Sequence, residues 1–336
     1  MKIRPGLCCV AILALLAAPL WAQAVNVYSY RQPDLVRPLF DAFTAKTGIR
    51  VNVSFLNQGM IEKLRAEGDR SPADLVFTVD ISRLNGLVEA GLTQPVASDI
   101  LNANIPADFR DPAGHWFGLT TRARVIYAAR DRVRDGEITT YEDLADEKWR
   151  GRICTRPGTH SYNLALISAY LTHHSKAETR AWLMAIRKNL ARKPQGNDRA
   201  QIKAVWSGEC DIALGNTYYM GQMIRNPDQK AWADAVRIIF PVFEGGGTHV
   251  NISGMAMTGA APNRDNALKL MEFLSTRPAQ SLYAEQNFEY PLLADAPVSE
   301  LVASWGSFSP DDRNLMAIAH LRQTALRLVE EVNFDQ

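Results

Sequence analysis

The chain has 336 residues, above the length at which one hydrophobic core usually suffices, so two lobes are the default expectation. Its 37 basic and 36 acidic residues nearly cancel. The nearest approach to a basic run, Arg130, Arg132 and Arg134, is interleaved with acids, which excludes nucleic acid as a broad electrostatic partner.

Residues 1–24 follow the order of a secretory signal: Lys2 and Arg4, an apolar run from Leu7 to Leu20, then Ala22-Gln23-Ala24, with cleavage expected after Ala24. A membrane span is not expected, because Pro19 interrupts a run already short of the roughly 20 residues a bilayer requires. Loss of Lys2 and Arg4 takes the basic count from 37 to 35 against 36 acids, a formal charge of −1. Cys8 and Cys9 lack a lipobox and leave with the signal, so Cys154 and Cys210 remain. An even pair in an oxidising compartment predicts a disulfide; zinc is a poor rival, since neither cysteine has a partner at ligand spacing and no histidine pair shows the H-E-x-x-H pattern.

Residues 25–30 read as a strand, and 34–46 as a helix with apolar Leu35, Val36, Leu39, Phe40 and Phe43 at helical spacing, ending at Thr47-Gly48. A strand over 49–55, a helix over 60–66, a strand over 73–78 after Pro72 and a helix over 82–90 stopped by Gly91 complete an alternation that predicts a parallel sheet wrapped by helices. The alternation recurs as a strand at 152–154, helices over 163–172, 178–189 and 199–207, and a strand at 211–214. Between the blocks, 118–129 is rich in Thr, Val, Ile and Tyr and reads as a strand. A second extended stretch, 236–243, leads through Gly245-Gly246-Gly247 to 251–258. Two segments able to cross between lobes predict a hinge and a ligand cleft; two rigid consecutive domains are the alternative.

In open parallel sheets the crevice lies outside the carboxyl ends of strands, facing helix N-termini. Four polar turns fall there: Ser29-Tyr30-Arg31-Gln32, Gly158-Thr159-His160-Ser161-Tyr162, Gly196-Asn197-Asp198-Arg199 and Asn216-Thr217-Tyr218-Tyr219. Strand alternation sends Arg122 and Arg124 to one face, where at least one could hold an anion in bidentate fashion. Pairing with acids across the lobe boundary is the other reading for both, and the favoured one for Arg124. The paired phenols of Tyr218 and Tyr219 suit a hard, highly charged ion, because only such an ion strips a proton from tyrosine, whose ordinary pKa is about 10; core packing is the bland alternative. A secreted enzyme is disfavoured, as no G-x-S-x-G elbow occurs and Asn251-Ile252-Ser253-Gly254 lacks both the flanking glycine and an evident base.

Tyr28-Ser29-Tyr30-Arg31-Gln32-Pro33, Ser71-Pro72-Ala73-Asp74, Gly118-Leu119-Thr120-Thr121-Arg122-Ala123-Arg124 and Gly215-Asn216-Thr217-Tyr218-Tyr219 together resemble, in order and over essentially the whole mature chain, the periplasmic ferric-ion-binding proteins of ABC iron importers. The resemblance implies an α/β, type II periplasmic-binding-protein fold: two lobes joined by two crossing hinge strands, with an N-terminal lobe at 25–121 and 250–299 and a C-terminal lobe at 122–249 and 300–336. It implies a monomeric periplasmic carrier, not an enzyme and not membrane-inserted after signal cleavage, that captures Fe(3+) with a synergistic anion and delivers it to an inner-membrane ABC permease.

The metal ligands so implied are Tyr162, Tyr218 and Tyr219. Gln32-Pro33 stand where some members have a His-Tyr pair, and Val79 stands near where others place a glutamate, with Asp80 beside it. Three phenolates balance the 3+ charge and leave coordination positions open, so an anion is expected to complete the shell. Carbonate or bicarbonate fits best, with phosphate or citrate as alternatives. Arg122 is implied as its clamp, Asn216 and the backbone near Ser161 and Tyr162 as further donors, and Arg31 and Gln32 as groups reaching from the other lobe. Tyr28 and Tyr30 are expected to pack, and His160 to line the cleft or cap a helix. The competing reading is a same-fold binding protein for a small organic anion or other non-metal solute.

Overall fold

The computed structural model describes residues 24–336, so the expected signal lies outside it apart from Ala24. Strand β1 (Ala24–Ser29) lies between parallel β2 (Arg50–Phe55) and β3 (Leu75–Thr78), with α1 (Pro33–Thr47) and α2 (Met60–Glu67) as crossovers and α3 (Ile81–Glu89) following. The first helix shows why these segments fold as read. Pro33 occupies a first-turn position where its missing N–H costs nothing, Val36, Leu39, Phe40 and Phe43 form the buried face, and Gly48 ends the helix at φ 74°, which a side chain would resist.

After α4 (Asp99–Asn104) the chain enters β4 (Phe117–Ala129), buried at every position. The second half comprises β5 (Ile153–Cys154), α5 (Ser161–His173), α6 (Lys176–Asn189), α7 (Asp198–Trp206), β6 (Ile212–Asn216), α8 (Tyr218–Arg225), α9 (Lys230–Asp234) and β7 (Val236–Ile239). Strand β8 (Val250–Met257) returns to the first half, and α10 (Arg264–Ser275), α11 (Arg277–Asn287) and β9 (Tyr290–Pro291) precede three closing helices. The strand order is β2-β1-β3-β8-β4-β6-β5, with β7 and β9 also on β4.

Two strands belong to both cores. Phe117 and Leu119 of β4 pack with Val25, Val27 and Leu75, whereas Ala123 to Ala129 pack with Ile153, Ile212 and Leu164. Met255 and Met257 of β8 join the first core, and Val250 and Ile252 the second. These antiparallel partners are the expected crossing pair, with one correction. The extended stretch over 236–243 stops at Ile239, since Pro241 has no N–H for a ladder, and β7 stays on β4 while β8 makes the crossing. Helix α6 starts earlier than its apolar pattern, because Ser175 and Glu178 form a capping box ahead of it. Cys154 and Cys210 are disulfide-bonded with Cα atoms 5.9 Å apart, tying β5 to the turn before β6.

Between α11 and β9, Phe288 adopts φ 58° and lays its ring against Gly221 of α8, where a Cβ would fall 2.2 Å from Phe288 Cγ. Its neighbour Glu289 is fully buried and accepts from Thr120 of β4, from Ser253 of β8 at 3.1 Å and from Arg31, with which it forms an ion pair. Thr120 and Ser253 are cross-strand partners beside a register shift between Gly118 and Thr120. Among the described residues no helix is long and apolar enough to cross a membrane.

Candidate metal centre

The corner between β6 and α8 is set by Gly215, where a Cβ would lie 2.4 Å from Tyr127 Cε2; the Tyr127 hydroxyl then donates to the Asn216 carbonyl at 2.6 Å. Tyr218 and Tyr219 follow as the first residues of α8, their ring centroids 4.3 Å apart. Tyr162 enters from α5. His160 caps that helix, its Nδ1 accepting the Tyr162 N–H at 3.1 Å, and burial, followed by Arg156, pushes the imidazole pKa down to about 3, which keeps that lone pair free. The carboxylate of Asp335 holds the preceding turn through the N–H groups of Gly158, at 2.5 Å, and Thr159, at 3.1 Å. The outcome is a meeting of phenols, with Tyr162 Oη 3.2 Å from Tyr218 Oη.

Burial, then Tyr162 and Tyr219, push the Tyr218 phenol well above the ordinary tyrosine value, and burial followed by Tyr162 raises Tyr219. Without a cation these groups are neutral, so forming phenolates here requires concentrated positive charge at the oxygens. Among the described residues no group of three or more His, Cys, Asp or Glu side chains gathers, which leaves phenols as the available hard donor set.

Guanidinium groups surround the phenols. Arg156, Arg122 and Arg124 lie 4.9, 5.8 and 5.9 Å from the Tyr162 ring centroid, and Arg199 lies 5.5 Å from that of Tyr219. Asp198, fully buried, holds Arg124 at 2.7 Å and Arg156 at 3.0 Å. Arg124 also donates to Asn163 at 2.7 Å and to Asn216 Oδ1 at 3.1 Å; it is paired with an acid, but with one inside 122–249 and not with one across the lobe boundary as expected.

The expected site residues divide between two cavities that share Tyr162 as a wall. Tyr162, Tyr218, Tyr219, Arg31 and Gln32 line a cleft of about 130 Å³, together with Val79, Arg199 and Gln222. Arg122 and Asn216 line a smaller cavity of about 10 Å³ with His249 on its wall. There Arg122 Nη2 donates to the Val79 carbonyl, while Arg122 Nη1, Asn216 Nδ2 and His249 Nδ1 are buried without partners. Ser161 Oγ is likewise buried and unpartnered, and lines neither cavity. Arg31 is committed to Glu289, Gln32 is exposed, and Asp80 is spent capping α3 and holding Asn251. Tyr28 packs as expected, with Met60, Leu64 and Val76; Tyr30, half-buried, packs against the same cluster and also lines the cleft. Sequence reasoning gave no role to Asp198, Arg199 or Gln222; the first two stand in a quoted turn, yet their partners are remote in the chain.

Residues 70–313 match the family model for bacterial extracellular solute-binding proteins. The chain is 44% identical to iron uptake protein A1 of Synechocystis over 93% of this chain and 88% of that protein. Among solved structures, apo ferric ion-binding protein A of Pasteurella haemolytica superposes with a TM-score of 0.90 at 48% identity, covering 94% of this chain and 99% of that one. The Trichodesmium protein IdiA (FutA), in complex with iron and citrate, gives 0.88 at 41% identity over 93% and 99%.

Proposed function

The chain belongs to the bacterial extracellular solute-binding protein family, and from that premise we propose that it is a periplasmic carrier that captures ferric iron between Tyr162, Tyr218 and Tyr219 and passes it to an inner-membrane ABC permease. The observation that carries the reading is the convergence of three phenols in one cleft, two of them oxygen to oxygen at 3.2 Å, in surroundings that keep Tyr218 and Tyr219 protonated until a strong cation arrives. Each phenol gives its proton to water as its oxygen takes the ion, and three phenolates balance the 3+ charge.

The shell is completed by a small anion, for which carbonate or bicarbonate is the simplest occupant. The unpartnered donors Arg122 Nη1 and Asn216 Nδ2, which line one cavity with Tyr162, support an anion there. Its arrival competes with the hydrogen bond from Arg122 to the Val79 carbonyl. Arg31 and Gln32 close from the opposite wall, where neither Gln32-Pro33 nor Val79 brings a side-chain oxygen anion. Closure is a movement of a lobe at 25–121 and 250–299 against one at 122–249 and 300–336, about β4 and β8. Lower charge on reduced iron, or protonation of the phenols, releases the ion when the lobes part. The carrier acts as a monomer and performs no catalysis.

The test is a titration of the mature protein with ferric salt, with and without bicarbonate. A visible phenolate-to-iron absorption band is expected, strengthened by bicarbonate and lost with tight binding in Tyr218→Phe, Tyr219→Phe. Absence of the band, or unaltered affinity in that variant, sinks the reading.

A further inference from the structure

We propose that Asp335 is a positioning residue of the candidate metal centre: its carboxylate fixes the turn that delivers Tyr162, and so sets what the third phenol contributes to iron binding. The inference rests on the iron reading and adds to it a group whose hydrogen bonds go to the turn and not to a phenol.

Tyr162 stands in the first turn of α5, so its place is set by the residues just before the helix. His160 caps that helix, and its own N–H donates to the Pro157 carbonyl at 3.0 Å. The N–H groups of Gly158 and Thr159 find no backbone carbonyl. Both go to Asp335, Gly158 to Oδ1 at 2.5 Å and Thr159 to Oδ2 at 3.1 Å, and the Thr159 hydroxyl adds a third bond to Oδ2 at 2.9 Å. Both oxygens of one carboxylate are therefore spent on two consecutive residues, just ahead of a helix N-terminus whose dipole favours the negative charge.

The segment bearing Asp335 is itself held. The last helix (Arg322–Glu331) ends in a Schellman motif: Asn333, at φ 49°, donates to the Glu330 carbonyl at 3.0 Å, and Phe334 to the Val329 carbonyl at 3.0 Å. That reversal lays the chain against the turn, where a Cβ on Gly158 would lie 2.8 Å from Phe334 Cδ1 and 3.0 Å from Val329 Cγ1. Arg187 of α6 donates to the Val332 carbonyl at 3.0 Å and pins the reversal. Tyr218 and Tyr219 have separate supports, the corner at Gly215 and the Phe288 ring against Gly221. Asp335 thus bears on one phenol of the three. Because Tyr162 walls both cavities, its displacement loosens the phenolate and the anion beside it together.

The experiment titrates mature wild type, Asp335→Asn, Tyr162→Phe and the double variant with ferric salt in bicarbonate. Affinity is read by competition with a chelator, and the phenolate-to-iron band is measured per bound iron. Asp335→Asn keeps the shape but turns one acceptor into a donor; it should weaken iron about tenfold, the lower end of what lost supports of metal ligands cost, and dim the band. In the Tyr162→Phe background the same change should cost less than about twofold, because the group it acts through no longer binds. A merely structural role would weaken both backgrounds alike. Equal cost in both backgrounds, or unaltered affinity with an undimmed band in Asp335→Asn, overturns this inference and leaves the iron reading standing. If Asp335→Asn does not fold, Thr159→Val removes the hydroxyl bond alone at an exposed position and should weaken iron about threefold, again only where Tyr162 is present. No weakening, or equal weakening in both backgrounds, again overturns the inference. Wild-type affinity in Tyr162→Phe, or no iron uptake by wild type, overturns both readings.

Discussion

Replacing Asp198 by Asn should cost the fold about 3–5 kcal/mol at neutral pH, the usual consequence of removing one partner of a buried ion pair. The carboxylate is fully buried; it accepts from Arg124 Nη1 at 2.7 Å, from Arg156 Nη1 at 3.0 Å and from the Asn216 N–H at 3.0 Å. Asparagine preserves the shape but leaves two guanidiniums with no counter-charge in a region where both are nearly sealed from solvent. Burial works to raise the Asp198 pKa, and Arg124 followed by Arg156 more than offset it, so the group titrates below the ordinary aspartate value. A carboxyl whose folded pKa is lowered contributes stability that is complete above its unfolded pKa, about 3.9, and is lost as pH falls through the folded value. The deficit of Asp198→Asn should therefore be full at pH 7 and shrink only below about pH 4. Guanidinium unfolding followed by tryptophan fluorescence, with the disulfide intact, measures it. A loss under about 1 kcal/mol at pH 7 would refute the claim that this carboxylate neutralises the two arginines.

The disulfide and a buried histidine carry two further expected outcomes. Changing Cys154 and Cys210 together to Ala opens a loop with a sequence separation of 56 and should lower stability by about 4 kcal/mol on the chain-entropy model; a loss below about 1 kcal/mol in the same unfolding series would count against it. Burial, then Arg122 and Arg124, push the His249 pKa down to about 3, so between about pH 6.5 and 3 the unfolded chain takes up a proton that the folded one refuses. Stability should fall across that window by about 1.4 kcal/mol per pH unit for this one group, and His249→Gln should remove that much of the slope; an unchanged slope contradicts it.

The alternation of strands and helices was legible because it is written in local periodicity, and the errors lie where local pattern is weakest. Residues 236–243 look extended throughout, but Pro241 ends the ladder and the crossing passes to β8, whose partners are more than a hundred residues away on β4. The apolar pattern of α6 begins after the helix does, because its start is a polar capping box and not an apolar residue. At the candidate site, Tyr218-Tyr219 stood out through adjacency, whereas Tyr162 carries no local signal and came from the resemblance. The Asp198 network was opaque for a physical reason. Whether an arginine is spent depends on which distant acid the fold brings to it, and strand alternation reveals a face without revealing its occupant.

The adjacency of Phe288 and Glu289 has a practical consequence for protein engineering. One side chain supports the helix that bears Tyr218 and Tyr219, and the next grips both crossing strands through Thr120 and Ser253. The count of residues between α11 and β9 is therefore a fixed gauge length: adding or deleting one residue there exchanges the two duties and displaces either the phenols or the grip on β4 and β8. A fluorescent or permuted reporter module belongs instead in an exposed connection such as 134–136, where extra length costs little loop entropy and leaves the gauge intact.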